Sequence, residues 1–180
     1  MLMIDDQHWL VGVTKRESPF YDQRPNEEIS LLVIHNISLP PGEFGGPYIE
    51  DLFLGTLDTK QHPFFSILEG LEVSAHCLIR RDGEVIQFVP FNGRAWHAGK
   101  SSFAGQQRCN DFAIGIELEG TDTTAYTEIQ YQVLQHLANK LVKKYPKITK
   151  ERMTGHQFIA ADRKTDPGLI FDWSKLKYQI

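Results

Sequence analysis

From Phe112 to Leu118 the chain alternates: Phe112, Ile114, Ile116 and Leu118 on one parity, Ala113, Gly115 and Glu117 on the other. Successive side chains of a strand point to opposite faces, so a period of two sets one apolar face and one face that carries Glu117. A second run, Ser30-Leu-Leu-Val-Ile-His-Asn36, is apolar and β-branched and reads as a buried strand ending at His35. Ala75–Arg80 and Glu84–Val89 read as two further strands, joined into a hairpin by Arg81-Asp82-Gly83. Arg152–His156 reads as a last short strand. The one long helical pattern begins at Thr127 as N-cap and runs to Tyr145, where Pro146 ends it. It sets Ile129, Val133, Leu134, Leu137 and Leu141 on one face. Strands interspersed with helices predict an α/β fold, a central mixed sheet of about five strands flanked by helices.

The rest of the chain is more irregular. Residues 1–29 are polar, with a short helix expected around Asp6–Val11. Residues 37–74 hold Pro40-Pro41-Gly42 and Gly45-Gly46-Pro47, with short helices expected at Tyr48–Leu54 and His62–Leu68. So long an excursion between strands is commonly a functional loop. The tail turns at Asp166-Pro167-Gly168 and closes with a short helix near Trp173–Tyr178. No repeat or linker divides the chain, so residues 1–180 read as one domain. At 180 residues, 41% of them apolar and 23% charged, it can bury a core without disulfides.

Charge and composition narrow the function. A formal net charge of -4 without a long Lys/Arg run argues against a nucleic-acid binder. No stretch approaches the ~18–20 apolar residues of a membrane span. Asp5 and Asp6 stand where an export signal is basic, and no apolar stretch follows, so a cytoplasmic location is expected. Cys77 and Cys109 form no CxxC pair and read as small buried hydrophobes in a reducing compartment.

Several residues could carry chemistry. His35 ends an apolar strand, His156 lies at the exit of Met153-Thr154-Gly155, and Asp166 follows ten residues later. Together they would make the two-imidazole, one-carboxylate set that catalytic zinc takes, with one position left open. Singly, each also has a structural reading, and Asp-Pro-Gly is a turn signal in its own right. Glu117, Glu119 and Asp111 share one parity. They read either as a solvated sheet face or, for Glu117, as a general base placed over the metal. Lys164 shares the side of Asp166 in an extended segment and could stabilise an oxyanion. His76 and Cys77 face opposite ways, so both cannot serve one site. Trp96-His97 in a polar loop reads as a carbohydrate or peptide contact, or as packing. His8, His62 and His136 have no supporting pattern.

Six segments occur in order: Leu32-Val-Ile-His-Asn36, Ser74-Ala-His76, Ala95-Trp-His-Ala-Gly99, Ile114-Gly-Ile-Glu-Leu-Glu-Gly120, Thr154-Gly-His156 and Lys164-Thr-Asp-Pro-Gly168. In these the chain resembles the N-acetylmuramoyl-L-alanine amidase type 2 family, which includes phage amidase lysozymes and animal peptidoglycan-recognition proteins. The likeness runs from about residue 16 to 174. Ser38–Pro47 and Arg108–Asp111 resemble its cytoplasmic branch, which acts on 1,6-anhydro-muropeptides. The resemblance implies a mixed sheet with a zinc groove and Zn²⁺ held by His35, His156 and Asp166. It implies Glu117 as the catalytic carboxylate and Lys164 as its cationic helper. Asn36 and Arg108 match positions near the substrate. The implied activity is hydrolysis of the amide between (1,6-anhydro-)N-acetylmuramic acid and L-alanine in small soluble muropeptides. That activity serves peptidoglycan recycling and, indirectly, restrains β-lactamase induction. A monomer without nucleic-acid or membrane partners is expected. At Glu72 the resemblance leads one to expect a basic residue. Two other readings remain. A binding-only recognition module would lack a zinc ligand, and a secreted wall-lytic amidase would carry a leader.

Overall fold

The computed structural model describes residues 2–177. Its strands are β1 (Met3–Ile4), β2 (Leu10–Val11), β3 (Thr14–Lys15), β4 (Tyr21–Gln23), β5 (Leu31–Ile37), β6 (Cys77–Ile79), β7 (Val85–Gln87), β8 (Gly93–Ala95), β9 (Ser102–Phe103), β10 (Gln106–Gln107), β11 (Ala113–Glu119) and β12 (Met153–Gly155). The helices are α1 (Tyr48–Leu54), α2 (Glu128–Lys144), α3 (His156–Ile159) and α4 (Trp173–Lys177). Six strands form the main sheet in the order β12-β5-β11-β6-β7-β3. It is mixed, as expected: β6 and β7 pair antiparallel across Arg81–Gly83, and every other pair is parallel. The sixth strand, beyond the expected five, is β3. It is two residues long and too short to leave a periodic signal.

α2 covers one face of the sheet. Leu32, Ile34, Ile114, Ile116, Leu118, Cys77 and Ile79 meet Tyr131, Leu134, Leu137, Ala138 and Leu141 there. Burying each leucine fully is worth about 1.5–3 kcal/mol. The helix begins at Thr127 as the sequence indicates, through a capping box with Gln130. Its buried stripe differs from expectation: Ile129 is exposed and Val133 half-buried, while Gln130 is buried. The Gln130 amide donates to the carbonyls of Ile79 and Glu119, closing strand ends that the sheet leaves open. Polar satisfaction thus displaces an apolar residue from the stripe.

The opposite face has two covers. The excursion packs Leu39, Ile49, Leu52, Phe53 and Phe65 on Leu78, Ile86 and Phe88. The segment 96–112 packs Ala98, Cys109 and Phe112 on Leu31, Val33 and Ala113. Two apolar clusters therefore flank a polar strip on one sheet face. Both cysteines are buried and free.

Three expectations need correction. The stretch around Asp6–Val11 is a hairpin of β1 and β2, not a helix. Asp5 accepts from the amides of Gln7 and Trp9, and His8 has a left-handed φ of 65°, which ends any helical run. His62–Leu68 forms a 3₁₀ helix over Pro63–Leu68. His156 opens α3 instead of ending a strand. The closing helix begins at Trp173, and Tyr178, its expected end, lies outside the described residues. Among the described residues no helix is long and apolar enough to cross a membrane.

Candidate active site

Three parallel strands bring the expected groups to one level. In the sheet register Glu117 of β11 is the partner of His35 of β5, and Gly155 of β12 is the partner of Ile34. His156 therefore follows at the height of His35, at the carboxyl ends of the strands where open α/β sheets place their ligands. Asp166 arrives from the tail. Its carbonyl accepts from Gln157 N–H, and the buried Tyr126 hydroxyl donates to Pro167. Gly168 closes the turn at φ +81°, where an added Cβ would lie 2.5 Å from the Asp122 backbone.

His35 Nδ1 and His156 Nδ1 lie 3.0 Å apart, and each is 3.1 Å from Asp166 Oδ2. His156 Nε2 faces the Ala98 carbonyl at 3.2 Å, an atom that can only accept, so this nitrogen carries the proton and Nδ1 a lone pair. His35 Nε2 lies 2.9 Å from His97 Nδ1. With Nε2–H of His35 donating there, three Lewis-basic atoms converge with no proton between them. Such a cluster is stable around a cation. The spacing is near the tetrahedron edge of about 3.3 Å that follows from metal–ligand bonds of ~2.0 Å. The residues fit a divalent metal, and among the described residues this is the one group of three or more His, Cys, Asp or Glu side chains that could hold one. Burial pushes the His35 imidazole down to about 4, outweighing Asp166, and pushes His97 well below its usual value. Both rings are neutral near pH 7, the state a ligand and its support require.

Glu117 is buried beside this cluster, and its Oε2 has no hydrogen-bond partner. Burial pushes its carboxyl well above the usual carboxylate range; the Asp166 charge adds to this and Lys164 opposes it. Of the two readings of this face, the solvated one does not hold at Glu117 and Glu119, which are both buried. Lys164 is exposed and lines a cavity of about 480 Å³ with Asn36, Ser38, Asp122 and Asp166. Asn36 donates to Asp122 at 2.8 Å. Arg108 is 70% exposed in its side chain and pairs with Asp111 at 3.3 Å. Trp96 is half-buried and stacks on Phe20 at 6.2 Å. His97 lies behind His35, edge-on at 5.0 Å. His76 receives the Gly115 amide on Nδ1 and packs against His97, whereas Cys77 points into the α2 side.

Sequence reasoning missed the supports: the Ala98 carbonyl, Arg163 donating to it, and Asp122. None has a local signature. Gly115 is a readable hint of a different support, the His97 ring that lies over it, since glycine inside a strand marks a close approach.

A metal-binding amide hydrolase is the class that this fold and site define. The chain belongs to the N-acetylmuramoyl-L-alanine amidase family, a class of metal-dependent amidases, whose sequence model matches residues 25–169. It is 61% identical over 179 residues to the 1,6-anhydro-N-acetylmuramyl-L-alanine amidase AmpD of Escherichia coli strain K12, covering 99% of this chain and 97% of that protein. Its backbone matches the crystal structure of a Se-Met AmpD derivative with a TM-score of 0.95 at 58% identity, over 99% of both chains. A more distant match is a complex of the E. coli amidase AmiD with anhydro-N-acetylmuramic acid-L-Ala-D-gamma-Glu-L-Lys. There the identity is 27% and the TM-score 0.62, over 98% of this chain and 65% of that one.

Proposed function

We propose that this chain hydrolyses the amide between 1,6-anhydro-N-acetylmuramic acid and L-alanine in small soluble muropeptides, as a cytoplasmic, zinc-dependent, monomeric enzyme of peptidoglycan recycling that indirectly restrains β-lactamase induction. The observation that carries this is the convergence of His35, His156 and Asp166 beside the unpartnered carboxylate of Glu117. The 61% identity to AmpD names the substrate.

Zinc is the ion this donor set suits, and when bound it supplies Lewis acidity toward the lactyl carbonyl. The chain's own groups do the rest. Glu117, whose carboxyl burial raises above the usual carboxylate range, is a stronger base than an exposed carboxylate; it takes a proton from the attacking water and returns it to the departing alanine nitrogen. The carbonyl carbon gains the C–O bond and loses the C–N bond, leaving a lactyl carboxylate and a free amine. Lys164 offsets negative charge on the carbonyl oxygen. Asn36, Trp96 and Arg108 contact the substrate from the groove walls. A binding-only role would need an incomplete ligand set, whereas all three ligands and Glu117 are together here.

The test combines metal analysis with mass analysis of products from purified anhydro-muropeptide. One zinc per chain, loss of turnover on chelation and recovery on zinc addition are expected. Faster cleavage of the anhydro sugar than of the matching reducing-end muropeptide is expected too. Equal kcat/KM on the two sugars would remove the recycling assignment, and efficient digestion of polymeric wall would favour a lysin.

A further inference from the structure

His97 contributes none of the three converging ligand atoms, yet its ring is held between two other histidines. Its ring stands edge-on to His35 at 5.0 Å and to His76 at 5.8 Å. Its Nδ1 is the partner of His35 Nε2 at 2.9 Å, and its own amide hydrogen-bonds the Asn110 side chain. The ring lies directly over β11 because position 115 has no side chain. A Cβ there would fall 2.4–2.7 Å from three atoms of the imidazole, closer than real contacts allow. On the far side, His76 is itself fixed by the Gly115 amide and the Gly93 carbonyl. His97 Nε2 is buried and has no partner, so the ring meets polar company on one edge only, toward His35.

We propose that His97 is a positioning residue: it accepts the His35 Nε2 proton and so fixes the tautomer and ring angle that aim His35 Nδ1 at the metal, with Gly115 as the recess that admits it. The inference rests on the metal reading of the site. A ligating imidazole must present a lone pair on one nitrogen, and the proton then sits on the other and needs an acceptor. Carbonyls and carboxylates usually fill that role, as the Ala98 carbonyl does for His156. For His35 the chain supplies a neutral imidazole, which can accept on Nδ1 only while its own proton stays on Nε2.

The test is zinc affinity of the full chain, by competition with a chromophoric chelator, for wild type, His97→Leu, His97→Asn and Gly115→Ala. Leucine fills the space and offers no acceptor, so affinity should fall by about 10–100-fold. Asparagine puts an amide oxygen in the place of Nδ1 and should restore most of the loss. Gly115→Ala removes no polar group but drives the ring off His35, and should weaken zinc as His97→Leu does. Thermal melts of the metal-free proteins show whether each variant is folded. In saturating zinc, His97→Leu should recover turnover with KM unchanged. Unaltered zinc affinity in His97→Leu would overturn the proposal, as would failure of asparagine to restore it. A raised KM at normal zinc affinity would also overturn it, making His97 a substrate contact. Failure of the wild type itself to bind zinc would instead remove the metal reading.

Discussion

Glu117 and Glu119 stand two residues apart on β11 and face the same way, yet their surroundings are opposite. Glu119 is 1% exposed and fully engaged: its carboxylate accepts from Arg80 at 3.2 Å and from the amides of Gly45 and Arg81 at 2.6 and 3.1 Å. Arg80 is shared with Glu50 at 2.7 Å, so the charge is balanced on both sides. Glu117 is 9% exposed and has no guanidinium or amide on its Oε2. A buried carboxylate is costly unless paired. The strand meets that requirement at one position and leaves it unmet at the next inward-facing one, beside three metal-type ligands. Unmet polar demand in a covered site is a mark of chemistry; met demand is a mark of architecture.

Breaking the architectural half should produce the largest change. Glu119→Ala leaves Arg80 without one of its buried partners and strips acceptors from two backbone amides. A loss of about 3 kcal/mol is expected, the low end for breaking a buried pair, because Glu50 still holds Arg80. Urea denaturation measures it. Turnover per folded molecule should change little, and a loss of turnover without a loss of stability would reverse the two roles.

Glu117→Gln should show the mirror image. The amide keeps the shape but cannot shuttle a proton, so kcat should fall by about 10²-fold or more while zinc is retained. Stability should hold or rise, since a buried unpartnered acid is removed. Near-normal turnover would move the base to another group.

This contrast marks where sequence reading stopped. The alternation of 112–118 located the strand and its acidic parity, and the capping box at Thr127 located α2, because both signals are local. The six ordered segments assembled the ligand set by resemblance. Nothing local separates Glu117 from Glu119 in Gly-Ile-Glu-Leu-Glu-Gly. What separates them is Arg80, 39 residues before Glu119, together with the cover from 37–74 and 96–112. The same limit explains α2, where Gln130 displaced Ile129 from the buried stripe to serve carbonyls of two distant strands. It explains Asp6–Val11 too, where one aspartate side chain outweighs a weak helical pattern.

Lys164 tests the charge that acts on Glu117 from the open side. Its side chain is exposed, so solvent screens it more than a desolvated donor. Lys164→Ala should lower kcat by about tenfold, below the ~10²–10³ of an enclosed oxyanion donor. A change confined to KM would make it a substrate-binding lysine.

The smallest effect belongs to the outer rim of the Glu119 network. Thr127 Oγ1 accepts from the Gln130 amide and donates to the Arg81 carbonyl, while Gln130 in turn donates to the Glu119 carbonyl. Arg81 adds a contact to Gln130 Oε1 and another to the Glu119 carbonyl. The cap of α2 is therefore tied to the Glu119 backbone and, through Arg81, whose amide donates to the Glu119 carboxylate, to the architectural half of β11 and not to the ligand cluster. Thr127→Ala removes one cap acceptor and one donor, which costs about 1 kcal/mol. If the two halves of β11 are separate in function, this loss should appear in the thermal midpoint alone, with kcat/KM and zinc affinity at wild-type values. Combining Thr127→Ala with Glu119→Ala should then give less than the sum of the two losses, since both loosen the same network. Combining it with Glu117→Gln should give additive stability changes. Strict additivity with Glu119→Ala would show that the cap is independent of Glu119, and a fall in zinc affinity from Thr127→Ala would show that the cap reaches the site by another route.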